Sequence, residues 1–339
     1  MKIAMIGCGA AGSCFAGYLR KGGADITLVD MYKAHMDKVA KDGLEFIVYP
    51  DTHYHLDGFK TAYTADDIGI MDIVIFVTKA TQLDAAVKSA MPCIGPDTVV
   101  VSLINGLGND DILLKHFPAN RILCGSGALG TELREPGCCV STEVKGTLVH
   151  FGALENGPVT DKAGAHLAEV FTKGGCLAEF NEDDRPNVWK KVIINCTVNT
   201  VCAVLRLKIY EVAQDEFGMQ LFRGVVQEAC AIATAKGVPF DAVEFENTHL
   251  KNFIQNMGDY YPSMAQDMLI NHRQTEISVL NEKLSEYGKQ LGIPTPVNDV
   301  LTVMVKAIQG NYDRQYLKYI KRSANRFDPS SLHPAQCRM

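Results

Sequence analysis

The chain begins with an apolar run that leads directly into a glycine-rich turn. Residues 3–6 are apolar, and the glycines that follow have the spacing Gly7-x-Gly9-x-x-Gly12. In this motif the first glycine permits a tight turn out of a buried strand, the second lets a pyrophosphate approach the backbone, and the third lets the next helix pack close to the sheet. An ordinary strand-to-helix corner is the alternative, but residues 13–19 are typical of the required helix, whose free N–H groups would face the pyrophosphate. The predicted dinucleotide-binding loop consists of Gly7, Cys8, Gly9, Ala10, Ala11 and Gly12.

The first informative acid after this loop is Asp30, which ends a predicted second strand and comes about 20 residues after the glycines. A carboxylate there accepts hydrogen bonds from the adenosine ribose and repels a 2′-phosphate, so Asp30 favours NAD(H) over NADP(H). A helix or turn cap is the alternative role. Lys33 and His35 follow closely, and as cations they could still bind a 2′-phosphate.

Two further apolar strands end in polar side chains. Residues 72–77 run into Lys79 and Gln82, and residues 98–103 run into Asn105. Ligands of open α/β sheets gather at the carboxyl ends of the strands. We therefore predict that Lys79 and Gln82 contact the cofactor, with the substrate carboxylate as a second candidate for Lys79, and that Asn105 lies near the nicotinamide. A solvated lysine is the alternative for Lys79.

The order of strand-like and helix-like segments predicts an α/β protein with two domains. Strand patterns at residues 44–63, 121–127 and 146–151, a helix at 161–173 and a strand at 176–180 complete a doubly wound N-terminal domain over residues 1–180. Polar residues 181–186 form a linker, an all-helical domain follows over 187–321, and residues 322–339 form a polar tail. The predicted helices of the second domain are 187–207, 215–236, 242–256, about 263–291, and 296–309.

Composition limits the partners that we expect. The formal net charge of −6 gives no electrostatic reason for nucleic acid binding, and no apolar run approaches the roughly 20 residues that span a bilayer. The eleven cysteines include no Cys-x-x-Cys pair, and no signal-peptide pattern precedes the first strand. We expect a cytoplasmic protein with reduced, mostly buried thiols, no metal site and no nucleic acid or membrane partner. The sequence does not decide between a monomer and a homodimer.

A polar stripe marks the helix predicted after the linker. Lys191, Asn195 and Asn199 are spaced by four, so they share one face of an otherwise apolar helix. Hydride reduction of a ketone leaves a developing alkoxide, which needs a proton donor and electrostatic stabilisation, and a partly desolvated lysine ammonium supplies both. Asparagines one and two turns along could orient the lysine and bind substrate. An exposed polar face is the alternative.

Two more polar residues follow in the helical region. Ser263 stands at a predicted helix start, where it is either an N-cap or a ligand of a substrate carboxylate. Glu276 falls in the middle of the predicted long helix and by itself is typical of an ordinary surface acid.

Taken in order, these motifs give the chain a family resemblance. Over about residues 1–310 it resembles the ketopantoate reductase (2-dehydropantoate 2-reductase) family. The matching features are the glycine motif, Lys79-Ala80-x-Gln82, Asn105-Gly106, Trp189-x-Lys191-x-x-x-Asn195-x-x-x-Asn199, Ser263-Met264-x-Gln266-Asp267 and Thr275-Glu276-Ile277.

The resemblance implies a Rossmann domain joined to a helical domain, with the active site in the cleft between them. It implies hydride transfer from NAD(P)H to ketopantoate or a related 2-oxo acid, giving the D-2-hydroxy acid, as in pantothenate biosynthesis. By matching positions, Lys191 would be the general acid and Glu276 a second catalytic group near the cofactor ribose and the lysine. The positions that it assigns to substrate are Asn105, Lys191, Asn195, Asn199 and Ser263.

Three departures from the family pattern stand out. Members that use NADPH usually carry arginine where this chain has Asp30, and residues 207–210 (Leu-Lys-Ile-Tyr) replace a frequent Asn-Gly. There is also one extra residue between Asp267 and Glu276. The first two departures point towards NAD and a less hydroxylated substrate, as in a subgroup of NAD-dependent D-2-hydroxyacid dehydrogenases of the D-mandelate type.

Two rival functions explain fewer of these residues. A non-enzymatic nucleotide sensor would have no evident use for the stripe that begins at Lys191. A β-hydroxyacid dehydrogenase would carry Gly-x-x-Gly-x-Gly-x-x-x-x-Lys, which this chain lacks.

Overall fold

The computed structural model describes residues 1–50, 52–142, 146 and 149–315. This part of the chain divides into two units. The sheet unit contains Met1–Ile194 and Ala229–Asp241, and the helical unit contains Asn195–Glu228 and the described residues from Ala242 onwards. In this division the predicted linker at 181–186 falls within the sheet unit. A division by contacts does not locate a linker, and the domain limits at residues 180 and 187 stay a prediction. The predicted polar tail, 322–339, lies outside the described residues.

Within the described residues, the strands form one sheet of eight strands and one of four. The strands are β1 (Lys2–Ile6), β2 (Asp25–Val29), β3 (Leu44–Tyr49), β4 (Thr52–Leu56), β5 (Lys60–Ala62), β6 (Met71–Phe76), β7 (Ile94–Ser102), β8 (Ile122–Gly127), β9 (Thr131–Glu135), β10 (Cys138–Thr142), β11 (Val149–Ala153) and β12 (Ala178–Asn181).

The helices lie between these strands in the sheet unit and follow one another in the helical unit. The α-helices are α1 (Ala10–Lys21), α2 (Lys33–Asp42), α3 (Leu83–Ala90), α4 (Asn109–Leu113), α5 (Pro158–Lys173), α6 (Arg185–Ile194), α7 (Thr200–Leu205), α8 (Ile209–Gln214), α9 (Glu216–Ala235), α10 (Ala242–Phe245), α11 (Lys251–Met257), α12 (Ser263–Gln266), α13 (Asn281–Leu291) and α14 (Pro296–Gln309).

The eight-stranded sheet confirms the predicted doubly wound architecture. Its order is β12-β11-β8-β7-β6-β1-β2-β5, and the strands from β5 to β8 are parallel, while β11 runs antiparallel to β8. The apolar runs of β1, β6 and β7 are buried on both faces, which is what a parallel sheet covered by helices requires. Side chains of α1 and α5 cover one face, and side chains of α3 and α4 cover the other.

The four-stranded sheet was only half predicted. The strands expected in residues 44–63 include the antiparallel pair β3 and β4, which pairs through β3 with β10, and β10 pairs with β9. The sequence of β9, Thr-Glu-Leu-Arg-Glu, is polar and mostly exposed, so it has little of the alternation that indicates a strand. The last strand of the 44–63 stretch, β5, joins the large sheet beside β2.

The prediction of one long helix at about 263–291 is wrong. After α12 a π-helical turn, Asp267–Asn271, ends at His272, whose φ of 48° is left-handed. The chain then stays non-helical until a short 3₁₀ turn, Ile277–Val279, that precedes α13. Glu276 therefore stands before a 3₁₀ turn and not in mid-helix. The Asp267 carboxylate accepts a hydrogen bond from Arg273 Nε at 2.6 Å, which ties the two sides of the break together.

The helix predicted at 187–207 is present, with one irregularity. It runs from α6 through a π-helical turn, Asn195–Asn199, into α7. By length and composition the 21-residue stretch Arg185–Leu205 could cross a membrane, contrary to the prediction that no apolar run is long enough. However, 67% of its most apolar window is buried inside the protein, as in the core helix of a globular protein.

The turn between β1 and α1 is shaped by the absence of side chains. Gly7 has a φ of 94°, a conformation that L side chains rarely adopt. A Cβ at Gly12 would lie 1.9 Å from the Gly7 carbonyl oxygen, so only glycine lets α1 start this close to the turn. A Cβ at Gly9, in contrast, would have no atom within 4 Å. These are the three environments that the glycine spacing predicts.

These environments predict a large loss of stability for one substitution and a small loss for another. Gly12→Ala should lower the free energy of unfolding by about 3 kcal/mol or more, because the new methyl group meets a backbone carbonyl that cannot move away. Gly9→Ala, the matched control, should cost at most about 1 kcal/mol, since alanine is only a poorer N-cap there. Urea unfolding followed by circular dichroism measures both. Equal losses for the two variants would contradict this account of the turn.

Candidate functional site

Asp30 and the glycine loop lie together at the carboxyl edge of the eight-stranded sheet. The Cys8 N–H donates to Asp30 Oδ2 at 2.6 Å, and the Tyr32 N–H donates to Asp30 Oδ1 at 2.8 Å. The second bond caps the turn after β2, which is the alternative role expected for Asp30. A carboxylate held against the loop in this way stands where a dinucleotide fold places its ribose acid.

The thiol beside this carboxylate is buried and favours its neutral form. Cys8 is buried, and burial, together with the nearby charge of Asp30, raises the pKa of its thiol well above the ordinary value. Every cysteine in the described part of the chain is a free thiol, and most are buried. Buried thiols of this kind serve as small apolar side chains.

The structure corrects one prediction about the 2′-phosphate. His35 is fully buried, and both of its ring nitrogens are engaged in hydrogen bonds, to Ser13 and to Gly137. It therefore has no free nitrogen to offer a phosphate at this edge. Lys33 is exposed, with its Nζ atom 5.3 Å from the centre of the Tyr63 ring.

Lys79 and Gln82 follow β6 at the same edge of the sheet. Both side chains are exposed, and Gln82 ends the short 3₁₀ turn Ala80–Gln82, which Lys79 precedes. The segment is held close to the glycine loop, since a Cβ at Gly7 would lie 2.8 Å from Thr78 Cγ2. Their predicted contacts with the cofactor stay a prediction.

The clearest constellation is at Lys191. Its Nζ atom donates to Asn105 Oδ1 at 2.6 Å and to the Gly127 carbonyl oxygen at 2.5 Å. Asn105 follows β7 and Gly127 ends β8, so α6 brings its ammonium group to the carboxyl ends of two neighbouring parallel strands. The lysine is half-buried, which weakens its hydration and strengthens its field. The sequence predicted Lys191 and Asn105 separately, and the fold brings them together.

A buried carboxylate anchors the start of α6. Asp184 is 3% exposed, and its Oδ1 atom accepts hydrogen bonds from the side chains of Asn181 at 2.7 Å and Asn187 at 2.9 Å. Its Oδ2 atom is buried without a partner in the described residues. Burial raises the pKa of this carboxyl above its ordinary value, and the two asparagine amides oppose that shift.

The two predicted substrate asparagines begin and end the π-helical turn Asn195–Asn199 in the helical unit. Asn195 is half-buried, whereas Asn199 is 8% exposed and directs its Nδ2 atom to Ser263 Oγ at 3.4 Å. The structure thus brings two predicted substrate residues together, and Ser263 itself is exposed at the start of α12. π-helical turns widen a helix locally and occur often at functional sites.

Asn281, which is not among the predicted site residues, supports this π-helical turn. The Asn281 side chain, fully buried, donates from Nδ2 to the Cys196 carbonyl oxygen at 3.0 Å and to Asn298 Oδ1 at 2.9 Å, and its Oδ1 accepts from Thr200 Oγ1 at 2.6 Å. Glu228 extends the network by accepting hydrogen bonds from Asn298 Nδ2 and from two backbone N–H groups at the start of α14. No sequence signal marks Asn281, because a lone asparagine in a helix is usually exposed.

Glu276 is half-buried and precedes the 3₁₀ turn before α13. The structure groups three sets of predicted residues, two in the sheet unit and one in the helical unit. They are the glycine loop with Asp30, Lys191 with Asn105, and Asn199 with Ser263.

A doubly wound sheet with a glycine-rich first turn, an acid after its second strand and a lysine at its carboxyl edge defines an NAD(P)-dependent oxidoreductase. Comparison with known proteins specifies the class. Residues 3–156 match the family model of ketopantoate reductase PanE/ApbA, and residues 184–309 match the model of its C-terminal part. The chain belongs to the ketopantoate reductase family, whose members reduce the keto group of 2-oxo acids to a CH–OH group.

Individual relatives agree with this assignment. A 2-dehydropantoate 2-reductase of Pyrococcus horikoshii is 31% identical over 307 residues, which cover 91% of this chain and 97% of that protein. A 2-dehydropantoate 2-reductase of Streptococcus pyogenes is 29% identical, with the same coverage. A ternary structure of D-mandelate dehydrogenase with NADH and anilino(oxo)acetate has a TM-score of 0.80 at 28% identity, covering 93% of this chain and all of that one.

The network around Asn281 predicts a large effect at a site without surface exposure. Asn281→Ala should lower the free energy of unfolding by about 2–4 kcal/mol, because it strands buried partners at Cys196, Thr200 and Asn298. Asn311→Ala is the control, since the Asn311 side chain donates one exposed hydrogen bond, to the Ala307 carbonyl oxygen, and its loss should cost less than about 0.5 kcal/mol. Urea unfolding measures both. A loss of unfolding free energy for Asn281→Ala as small as that of the control would contradict a stabilising role of these hydrogen bonds.

Proposed function

We propose that this protein reduces ketopantoate, or a related 2-oxo acid, to the D-2-hydroxy acid, with Lys191 as the general acid and NADH as the preferred cofactor. The observation that carries the proposal is the position of the Lys191 ammonium group, held by Asn105 and Gly127 at the carboxyl edge of the sheet. The names of the curated relatives support ketopantoate as the first substrate to test.

The residues at the sheet edge fit a dinucleotide. The open space at Gly9 leaves room for a pyrophosphate, and the start of α1 directs backbone N–H groups towards it. In this proposal the Asp30 carboxylate accepts hydrogen bonds from the ribose hydroxyls. Exposed Lys79 and Gln82 lie at the same edge, where they can contact the phosphates. When bound, a reduced nicotinamide supplies the hydride.

The chain's own residues would supply the proton and the orientation. Lys191 donates a proton to the substrate oxygen as negative charge develops there, and its ammonium also stabilises that charge electrostatically. Asn105 and the Gly127 carbonyl set the direction of the ammonium group. Asn195, Asn199 and Ser263 bind the substrate hydroxyl or carboxylate, and Glu276 acts as a second catalytic group; these roles follow from the family resemblance.

The cofactor preference is the part of this proposal that rests on Asp30. A 2′-phosphate would add negative charge beside a carboxylate, and the structure withdraws His35 as a compensating cation. The NADH in the D-mandelate dehydrogenase complex supports the same preference in a protein of similar fold. The likeness to D-mandelate dehydrogenase supports a bulkier, apolar 2-oxo acid as the second candidate substrate. This chain also lacks the polar Asn-Gly after α7 and has a fully buried Ile209 in that stretch, which favours a less polar substrate.

We further propose a cytoplasmic location, without a nucleic acid or membrane partner. The net charge of −6 and the burial of the most apolar helix support this location.

A steady-state panel tests cofactor and substrate together. Ketopantoate, 2-oxoisovalerate and phenylglyoxylate are each assayed with NADH and NADPH, for the wild type and for Asp30→Asn. We expect the wild type to prefer NADH by at least about tenfold in kcat/KM, and Asp30→Asn to narrow that ratio because one repulsive charge is gone. Strict preference for NADPH, with activity on ketopantoate alone, would contradict the proposal that Asp30 selects NADH.

Lys191→Ala tests the mechanism itself. We expect kcat to fall by about 10²–10⁴ while NADH still binds, because a proton donor is lost and the nucleotide contacts are not. Lys190→Ala is the matched control, as this neighbour points to Asn187 and should leave kcat within about threefold. Unchanged turnover in Lys191→Ala would exclude this lysine from proton transfer and return the nucleotide-sensor alternative to consideration.

A further inference from the structure

A buried chain of hydrogen bonds runs from the four-stranded sheet to the glycine loop. No sequence motif predicts it. Gly137, in the turn between β9 and β10, donates its N–H to His35 Nδ1 at 2.9 Å. His35 Nε2 lies 3.0 Å from Ser13 Oγ, and the Ser13 hydroxyl donates to the Cys8 carbonyl oxygen at 2.8 Å. We call this chain of four groups the His35 relay.

The direction of every bond in the His35 relay is determined. A backbone N–H can only donate, so Nδ1 of His35 must carry a lone pair and Nε2 must carry the proton. Nε2 therefore donates to Ser13, which leaves the hydroxyl hydrogen of Ser13 for the Cys8 carbonyl. Burial lowers the pKa of His35, against the opposing charge of Asp30, so the neutral ring that this arrangement needs is favoured.

The backbone of Cys8 is consequently held on both sides. Its N–H, in the peptide unit shared with Gly7, is bonded to Asp30, and its carbonyl oxygen, in the peptide unit shared with Gly9, is bonded to Ser13. Because a trans peptide is planar, the N–H of Gly9 points opposite to the Cys8 carbonyl and so away from Ser13. Ser13 and His35 are both fully buried, so neither can touch a bound nucleotide.

From these contacts we infer that Ser13 and His35 are positioning residues for the cofactor: through the Cys8 carbonyl they orient the Gly9 N–H that binds the pyrophosphate. The inference rests on the proposed nucleotide-binding role of the glycine loop. It assigns a task to the four-stranded sheet as well, since the Gly137 N–H at its turn determines which tautomer of His35 is present.

The two ring nitrogens allow a test in which one side chain is altered in two ways. In His35→Asn the new side-chain oxygen can still accept from Gly137, but nothing donates to Ser13. In His35→Gln the longer amide can still donate to Ser13, but nothing accepts from Gly137. Ser13→Ala removes the last step directly. Tyr18→Phe is the matched control, because it removes a buried hydrogen bond of 3.1 Å from the same helix to Ser141 without touching the Cys8 carbonyl.

The dissociation constants of NADH and NADPH are measured by fluorescence for each full-length variant, together with steady-state kinetics and thermal unfolding. We expect Ser13→Ala and His35→Asn to raise the dissociation constant and KM for the dinucleotide about tenfold, with kcat and the KM for the 2-oxo acid within about twofold. His35→Gln should stay within about threefold of wild type. Tyr18→Phe should lose stability with unchanged dinucleotide affinity.

Wild-type affinity in both Ser13→Ala and His35→Asn would overturn the inference. So would a loss of affinity that merely follows the loss of stability, with Tyr18→Phe weakened to the same degree. If the wild type bound neither dinucleotide, the proposed function would fail first, and the inference would fail with it.

Discussion

The close approach of α1 to the first turn of the sheet is the constraint on which the rest of the sheet unit depends. It exists because Gly12 has no side chain to meet the Gly7 carbonyl, 1.9 Å from where a Cβ would be. With α1 in this position, Ser13 reaches the Cys8 carbonyl, and the loop backbone comes within reach of Asp30. A single missing methyl group therefore determines whether the loop can be held from both sides.

Both units support their candidate site residues with buried, fully bonded polar groups. In the sheet unit His35 uses both ring nitrogens, and in the helical unit Asn281 uses both its oxygen and its amide hydrogens. Such groups are costly to bury alone and stabilising only when every partner is present, so each permits one geometry. The glycine loop and the π-helical turn Asn195–Asn199 are two irregular backbone segments that carry predicted ligands, and both are supported in this way.

Much of the fold was predictable because its signals are local. The apolar runs of β1, β6 and β7, the glycine spacing and the polar residues at strand ends each occur within a few positions of the sequence. The polar strand β9 and the break at His272 were not predictable, because β9 is stabilised by pairing with β10 and the break by the contact of Arg273 with Asp267. Periodicity alone extended the helix through Glu276, where tertiary contacts end it.

The sequence by itself determined the class of cofactor, the family and the residue types of the site. Lys191, Asn105, Asp30 and the glycines are legible because each belongs to a motif with fixed spacing. Only the tertiary structure decided which groups meet. It joined Lys191 to Asn105 and a backbone carbonyl, and it removed His35 from the surface and gave it two buried partners. The reason is physical: hydrogen bonds between residues far apart in the chain depend on how strands and helices pack, and spacing along the sequence does not specify that packing.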